Sequence, residues 1–162
     1  MSDVSGVSDP DHVAVERLLG RYADTVTRRA WDELGDLFLS DATVHIDTVT
    51  RPAFTVTGPT ALGEFIGSAV ARFDFFEFVV LNVVTLLGAD DDHVTARVHM
   101  CEQRRDAATG EWSTAYGRYL DRVVRTADGW RFEHRDYRSL GRTGADGAVF
   151  PHPDRGSTVD TP

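Results

Sequence analysis

The sequence predicts an α+β fold in which helices come first and antiparallel strands follow. In the first part of the chain, apolar residues recur at spacings of three and four, which is typical of helices with one buried face. After Asp74, long stretches rich in apolar residues are separated by short turns of Gly and Asp, which indicates consecutive antiparallel strands. Helices packed on such a sheet form a cup, and cups of this kind hold small molecules.

The length, charge and cysteine content narrow the class of protein. The 162 residues, 41% of them hydrophobic, are enough for one core and one domain. The net charge of −9 argues against nucleic acid and against an anionic membrane surface as partners, because both are bound by clusters of Lys and Arg. Cys101 is the single cysteine, and the N-terminal residues lack the pattern of a signal peptide, so we expect a reduced cytoplasmic protein that does not span a membrane.

The helical segments are predicted from periodicity and capping residues. Helix one carries the apolar positions of residues 13–26 and begins at Asp9 or Asp11, beside Pro10. A shorter helix repeats the pattern through residues 31–38, and the turn Gly58-Pro59-Thr60, with Thr60 as its N-cap, opens a third helix through residues 62–69.

One strand is predicted before the third helix and four after it. These strands cover residues 42–47, 76–87, 93–105, 112–126 and 130–138, and the last four form a meander. The domain is expected to span residues 11–139, between a flexible N-terminus of residues 1–10 and a flexible tail or pocket lid of residues 140–162. On that tail, Phe150 is a candidate for closing the mouth of the pocket.

Two stretches of the sequence carry a resemblance to a known family. They read RYADxxxxxxWDxLxxLFxxDA, beginning at Arg21, and GRYxDRxVRTxDGWRF, beginning at Gly117. The region from Val13 to Arg138 resembles the SnoaL-like polyketide cyclases of the nuclear-transport-factor-two superfold, close to the branch that includes scytalone dehydratase. The resemblance implies a cone-shaped α+β barrel whose curved sheet wraps an apolar pocket. It also implies an activity without a cofactor, because related members isomerise, dehydrate or cyclise small ketones and polyketides, although other members only bind ligands or assemble.

Alternation along the strands predicts which side chains face the pocket, because successive residues point to opposite faces. The first strand places Val44 and Ile46 inward. The later strands place inward Phe76, Phe78, Val80 and Asn82, then Met100 and Glu102, then Arg118, Leu120 and Val124, then Phe132, His134 and Asp136. The side chains predicted on the opposite face are those of His45, Asp47, His99, Cys101, Tyr119 and Asp121. This mixture of residue types is more typical of a subunit interface than of a pocket. A bulge would reverse these assignments beyond it.

Tyr22 and Asn82 are candidates for polarising a substrate oxygen. The resemblance aligns Tyr22 with the tyrosine that helps form the oxyanion hole of ketosteroid isomerases, and a phenol is a neutral hydrogen-bond donor at pH 7. The alternative is a core aromatic residue. Asn82 keeps the last position of the dehydratase-like pattern HxxxN, where an amide can orient a carbonyl or a water, or else pair with strand backbone.

The sequence departs from both related mechanisms at two positions. Ile46 stands where the isomerases have their general-base carboxylate and the dehydratase a tyrosine. Phe78 stands where the HxxxN pattern has its catalytic histidine. Neither mechanism therefore transfers directly to this chain.

Glu102 and Asp136 are the remaining inward carboxylates, with Arg118 and His134 as neighbours. Desolvation in an apolar cup raises the pKa of a carboxylate, which suits proton abstraction beside a carbonyl or protonation of a leaving hydroxyl. The alternative is a structural ion pair of Glu102 with Arg104 or Arg118. Asp121 is interpreted as a salt-bridge partner of Arg135 or Arg125 rather than as an acid.

These assignments favour a cofactor-independent dehydratase, isomerase or cyclase acting on a hydrophobic, carbonyl-bearing small molecule of secondary metabolism. Tyr22, Asn82, Glu102 and Asp136 are the catalytic candidates. Ile46, Phe76, Phe78, Met100, Arg118, Phe132 and His134 are the binding candidates. No metal-ligand spacing or phosphate-binding glycine motif is found, so no metal or cofactor is expected. A non-catalytic binding or accessory subunit is the rival, and a homodimer or homotrimer is expected by analogy.

Overall fold

The computed structural model describes residues 6–87 and 90–155. Its helices are α1 (Asp9–Arg28), a 3₁₀ helix (Trp31–Asp36) and α2 (Pro59–Val70). Its strands are β1 (Phe38–Asp47), β2 (Phe54–Thr57), β3 (Phe73–Leu87), β4 (His93–Asp106), β5 (Trp112–Thr126), β6 (Gly129–Arg142) and β7 (Ala148–Val149). The predicted α+β class, with helices packed on a curved and mainly antiparallel sheet, is confirmed.

The sheet has the strand order β2-β1-β6-β5-β4-β3, and β7 adds to β6. β3 to β6 form the predicted antiparallel meander. β1 pairs with β6 in parallel, which brings the first strand beside the last long one and closes one side of the cone. The helices cover one face, called the inner face below, and leave the outer face to the C-terminal segment and solvent.

Helix α1 buries the predicted apolar face against this sheet. Val15, Leu19 and Val26 are fully buried, and Tyr22 is 3% exposed. The helix begins at Asp9, one of the two predicted starts, and the Ser8 side chain caps it. Residues 9 and 10 thus belong to the helix and not to a flexible N-terminus, while residues 1–5 lie outside the described residues.

Three further features of the first half of the chain differ from the prediction: where the short helix gives way to β1, the presence of β2, and the start of α2. The short helix ends at Asp36, and Phe38 begins β1 because it pairs with Phe132 of β6 and packs on Tyr22. β2, which was not predicted, forms by antiparallel pairing with β1. Helix α2 starts at Pro59 with Gly58 as its N-cap, since Gly58 takes a φ of 85° that a side chain at this position would disfavour.

Bulges in two strands overturn three predicted orientations. In β3 the pairing shifts between Val80 and Asn82, so Asn82 is exposed on the outer face. In β6 the pairing shifts between Phe132 and His134, so His134 and Asp136 also face outward. Each bulge adds one residue to its strand, which reverses the alternation up to the next shift in pairing, such as the one between Ser139 and Gly141 of β6.

The inner residues of β5 are the opposite set from the predicted one. Ala115, Tyr119, Asp121 and Val123 are buried on the inner face, opposite inward residues of β4. The predicted inward residues Arg118, Leu120 and Val124 therefore face outward. Arg118 is nevertheless only 3% exposed, because the C-terminal segment covers it.

Candidate functional site

A cavity of about 240 Å³ lies between the inner face of the sheet, the second half of α1 and helix α2. Its apolar wall includes Val44, Ile46 and Phe78 from strands and Leu62 and Ile66 from α2. Polar groups reach it from Tyr22, Glu102, Tyr119, Tyr137 and Ser139, with Arg104 and Arg142 as its cationic side chains. A mainly apolar hollow with a few converging polar groups is the usual form of a small-molecule site.

The predicted apolar wall is found only in part at this cavity. Ile46 and Phe78 line it. Phe76, Met100 and Phe132 are buried at 6%, 1% and 0% exposure but belong to the packed core rather than to the lining. Their end of the cone is filled by side chains of α1, as the edge-to-face contact of Tyr22 with Phe132, with ring centres 5.8 Å apart, shows.

Glu102 is the carboxylate that β4 presents to the cavity. Its side chain keeps 26% of its accessible surface, and its nearest cation, Nη1 of Arg104, lies 3.9 Å from Oε2. Burial raises the pKa of Glu102, and the positive charges of Arg104 and Arg142 offset part of that rise. The group is thus poised to hold a proton more readily than a free glutamate.

Three phenols, those of Tyr22, Tyr119 and Tyr137, line the same cavity. Burial raises the pKa of Tyr22 and raises that of Tyr119 well above its ordinary value. Burial likewise raises the pKa of Tyr137, and the charge of Glu102 adds to the rise. All three therefore stay neutral near pH 7 and can donate a hydrogen bond to a ligand oxygen.

A glycine in β5 allows Tyr137 to reach the cavity. A Cβ atom at Gly117 would overlap the Tyr137 ring, so the ring lies directly against the strand backbone there. The neighbouring Tyr119 packs against the same ring in a tilted arrangement, with centroids 5.1 Å apart. Substitution of Gly117 by any larger residue would displace the phenol from the site.

A buried ion pair supports the floor of the cavity. Arg135 donates to both carboxylate oxygens of Asp121 at 2.8 and 2.9 Å, which confirms the interpretation of Asp121 as a salt-bridge residue. The guanidinium of Arg135 lies 4.3 Å from the ring centre of Tyr22 and 3.8 Å from that of Tyr119. The pair thus holds two of the three phenols from below, through cation–π contacts.

Four of the candidate site residues lie away from the cavity, on the outer face. Asn82 is exposed there, and the Nδ1 of His134 bonds the Thr43 hydroxyl at 2.7 Å. Arg118 bonds Asp136 and Asp154, both at 3.0 Å. The structure therefore separates Asn82, Arg118, His134 and Asp136 from Tyr22 and Glu102.

The C-terminal segment crosses the outer face rather than the cavity. β7 pairs with β6, His152 approaches His99 with an Nε2–Nε2 distance of 2.9 Å, and Asp154 bonds Arg118. Phe150 does not line the cavity, although its ring centre lies 5.9 Å from the guanidinium of the cavity-lining Arg142, and its role as a lid stays a prediction. Residues 156–162 lie outside the described residues.

Sequence reasoning assigned no site role to Tyr119, Tyr137, Ser139 or Arg142, although all four line the cavity. Tyr119 was assigned to the opposite face. The one usable signal was Gly117 between two tyrosines in the stretch AYGRY, because a strand glycine often marks a close approach of another side chain.

Among residues 6–87 and 90–155, no group of three or more His, Cys, Asp or Glu side chains is placed to hold a metal ion. Over the same residues, no helix is both long and apolar enough to cross a membrane.

A cone of this kind, with helices closing an apolar cavity against a curved sheet, defines a class of small α+β proteins. The family model of the SnoaL-like domain matches residues 10–136, and the chain belongs to this family. The comparison with curated proteins found no match.

Solved structures share the fold at low sequence identity. A proposed scytalone dehydratase from Novosphingobium aromaticivorans is 21% identical, with 90% of this chain and 94% of that one covered and a TM-score of 0.75. The hexachlorocyclohexane dehydrochlorinase LinA-type3 from Novosphingobium barchaimii is 17% identical, with 89% and 96% covered and a TM-score of 0.71. The Kribbella flavida protein Kfla4162 is 22% identical, with 84% and 95% covered and a TM-score of 0.72.

Proposed function

We propose that this chain is a cofactor-independent dehydratase, isomerase or cyclase that moves a proton on a hydrophobic, carbonyl-bearing small molecule, in secondary metabolism of polyketides or terpenoids. The observation that carries the proposal is the Glu102 carboxyl, whose pKa is raised by burial, in an apolar cavity that it shares with the phenols of Tyr22, Tyr119 and Tyr137. The names of similar structures, a proposed dehydratase and a dehydrochlorinase, belong to elimination chemistry and support this choice.

In the proposed reaction Glu102 acts first as a base. Its carboxylate takes the proton from the carbon beside the ligand carbonyl, and the C–H electron pair moves into an enolate. The phenols donate hydrogen bonds to the enolate oxygen, where charge develops. Return of the proton to another carbon completes an isomerisation, whereas its transfer to a departing hydroxyl group releases water. A raised pKa suits both steps, since it makes the ionised group a stronger base and lets the group hold its proton to higher pH than a free glutamate does.

The experiment measures hydrogen exchange rather than turnover of an unidentified substrate. 1-Tetralone and 1-indanone, incubated with the protein in D₂O near neutral pD, report loss of their α-protons by NMR. We expect the wild-type protein to accelerate exchange and Glu102→Gln to slow it by roughly 100-fold or more, the usual contribution of a general base.

Glu133→Gln is the matched control for this experiment. Glu133 pairs with Arg122 at 2.6 Å, with side chains 33% and 57% exposed, so its loss should leave exchange unchanged. Exchange that persists in Glu102→Gln would remove Glu102 from the mechanism.

The rival function, a non-catalytic binding module, is favoured by one specific observation. Ile46 and Phe78, which replace the expected catalytic groups, both line the cavity and make its wall more apolar. Ketones that bind the wild-type protein without accelerated α-proton exchange would establish this second function.

The expected homodimer or homotrimer stays a prediction. The outer face exposes Phe75, Leu81 and Trp112 at 40%, 54% and 57%, which is compatible with a covered surface in an oligomer. Light scattering of the purified full-length protein measures its mass directly, and a monomer at micromolar concentration would contradict the prediction.

A further inference from the structure

Two arginines stand at the boundary between the cavity and the surface. Arg104 of β4 and Arg142 of β6 line the cavity, and both also line an adjoining polar recess of about 150 Å³. Ala115 of β5 is paired with both Glu102 and Arg142, so only a methyl side chain separates these two residues across the sheet. A ligand in the cavity therefore meets two guanidinium groups where it approaches the recess.

Arg104 and Arg142 have few anionic partners of their own at the cavity. Within the described residues, Arg142 has no carboxylate within salt-bridge distance, and its Nη2 donates to the Thr48 carbonyl at 3.3 Å. The Nε of Arg104 is buried and has no hydrogen-bond partner, and Glu102 lies 3.9 Å from its Nη1. In the part of the chain that the structure describes, the cavity lining has one carboxylate, Glu102, and two arginines.

The acidic residues of the adjoining recess are partly engaged with other groups. Asp106 pairs with Arg72 at 2.7 Å, and Glu111 accepts a hydrogen bond from the Ala145 amide at 2.9 Å. Asp146 also lines the recess, at its exposed side. Among the described residues Arg142 makes one hydrogen bond and Arg104 none, so both keep unused donors at the boundary that they line.

We propose that the ligand of this cavity is an apolar carboxylic acid, whose ring system occupies the cavity and whose carboxylate binds Arg104 and Arg142. The inference rests on the proposed function, because it takes the same cavity as the site. It narrows the substrate class from carbonyl compounds in general to those that also carry a carboxylate. A guanidinium donates two parallel hydrogen bonds to a planar carboxylate, so the two groups match in shape as well as in charge.

The size of the cavity limits the apolar part of the ligand. A volume of about 240 Å³ lies below the range of roughly 300–1,000 Å³ that holds drug-sized ligands. One or two rings therefore fit, and larger ring systems do not.

The proposal implies a particular pH dependence. Glu102 faces Arg104 on its own strand, Arg142 and Tyr137 of β6, Tyr119 of β5 and Tyr22 of α1. While Glu102 is protonated, the cavity lining carries the two charges of Arg104 and Arg142 and no carboxylate charge, which favours an anion. As the pH rises and Glu102 loses its proton, its negative charge opposes the ligand. Affinity for the acid should therefore fall through the pKa of Glu102.

The experiment compares two probes of the same shape, 1-naphthylacetate and the neutral 1-naphthylacetamide, by titration calorimetry with the full-length protein. We expect the acid to bind the wild-type protein more tightly than the amide. Arg142→Gln should lower the affinity for the acid by roughly 10-fold or more, since a hydrogen bond to a charged group is lost. The affinity for the amide should not change. Arg122→Gln, an exposed arginine of the outer face, is the matched control.

Three outcomes would overturn the proposal. The wild-type protein could bind acid and amide with equal affinity, Arg142→Gln could lower both affinities equally, or Arg122→Gln could lower the affinity for the acid as much as Arg142→Gln does. Arg104→Gln serves as a second variant if Arg142→Gln does not fold, as judged by circular dichroism, and it should show the same selective loss. In Glu102→Gln the acid should keep its affinity as the pH rises. Because naphthylacetate binding requires no reaction, these results are independent of the ketone exchange experiment.

Discussion

Glu102 of β4 and Asp121 of β5 are both carboxylates on the inner face of the sheet, yet their partners differ. Asp121 is 1% exposed and accepts two hydrogen bonds from Arg135, at 2.8 and 2.9 Å. Glu102 lies 3.9 Å from Arg104 and lines the cavity. One carboxylate is fully committed to a neighbouring side chain, whereas the other keeps acceptor sites for a ligand.

The difference shows that burial alone does not identify a reactive acid. Asp121 is the more buried of the two, and burial raises its pKa as well, but each of its oxygens accepts a hydrogen bond from Arg135 and it does not line the cavity, so it is not placed to take a proton from a ligand there. Glu102 is less well paired and faces open space. The geometry of the partner, and not the depth of burial, distinguishes the structural carboxylate from the candidate base.

The largest expected effect is a loss of stability when the buried pair of Asp121 and Arg135 is broken. Asp121→Asn leaves Arg135 as a buried cation without a counter-charge, and we expect a loss of about 3–5 kcal/mol in the free energy of unfolding. Urea denaturation followed by circular dichroism measures it. The double variant Asp121→Leu/Arg135→Met should recover most of the loss, because it removes both charges. A single variant as stable as the wild type would contradict this account of the pair.

The next effect concerns Tyr22, which connects the two carboxylates. Its ring lies over Arg135 at 4.3 Å, and its side chain lines the cavity together with Glu102. Tyr22→Phe keeps the ring but removes the donor, so ketone α-proton exchange should slow by roughly 100-fold, the usual cost of one oxyanion donor. Stability should change little, and unchanged exchange would show that the hydroxyl has only a packing role.

A smaller effect is predicted for the stability of Glu102→Gln. In the wild-type protein the folded-state pKa of Glu102 is raised, so the folded state holds the proton more tightly than the unfolded chain. Its contribution is complete below about pH 4.3, where a free glutamate titrates, and is lost as the pH rises through the folded-state pKa. Glu102→Gln should therefore be the more stable protein near pH 8, on the order of 1 kcal/mol, and nearly equal at low pH. Parallel curves from pH 4 to 8 would contradict the prediction.

The smallest effect is expected at the outer face. Glu133 and Arg122 form an exposed pair, and Glu133→Gln should change the free energy of unfolding by at most about 0.5 kcal/mol. The measurement sets the lower end of a series of three carboxylates, from exposed to cavity-lining to fully paired. A loss comparable to that of Asp121→Asn would remove the distinction between the two faces.

The fold was predictable because its signals are local and repeated. The buried face of α1, the turns of the meander and the alternation in β1 and β4 each follow from short-range periodicity, and the structure confirms them. β2 was missed because four residues paired on one side only leave too short a pattern.

The candidate site was harder to predict because it depends on which residues of each strand point to the inner face. The bulges near Leu81 and Glu133 carry no clear sequence mark, yet each reverses the assignments that follow, including those of Asn82 and Asp136. In β5 both faces mix charged and apolar residues, so alternation did not decide the phase. A salt bridge of Asp121 with Arg135 or Arg125 was expected, but its place on the buried inner face was not, because Asp121 had been assigned to the opposite face.

The parallel pairing of β1 with β6 has a consequence for the order of assembly during synthesis. Thr43 and His134, which bond across these strands, are 91 residues apart, so β1 has no neighbour on that side until nearly the whole chain has been made. Contacts this distant in sequence form late and slow folding. A ribosome-bound chain that ends before residue 129 should therefore expose the apolar inner face of the sheet to chaperones. The cone is completed only when β6 emerges.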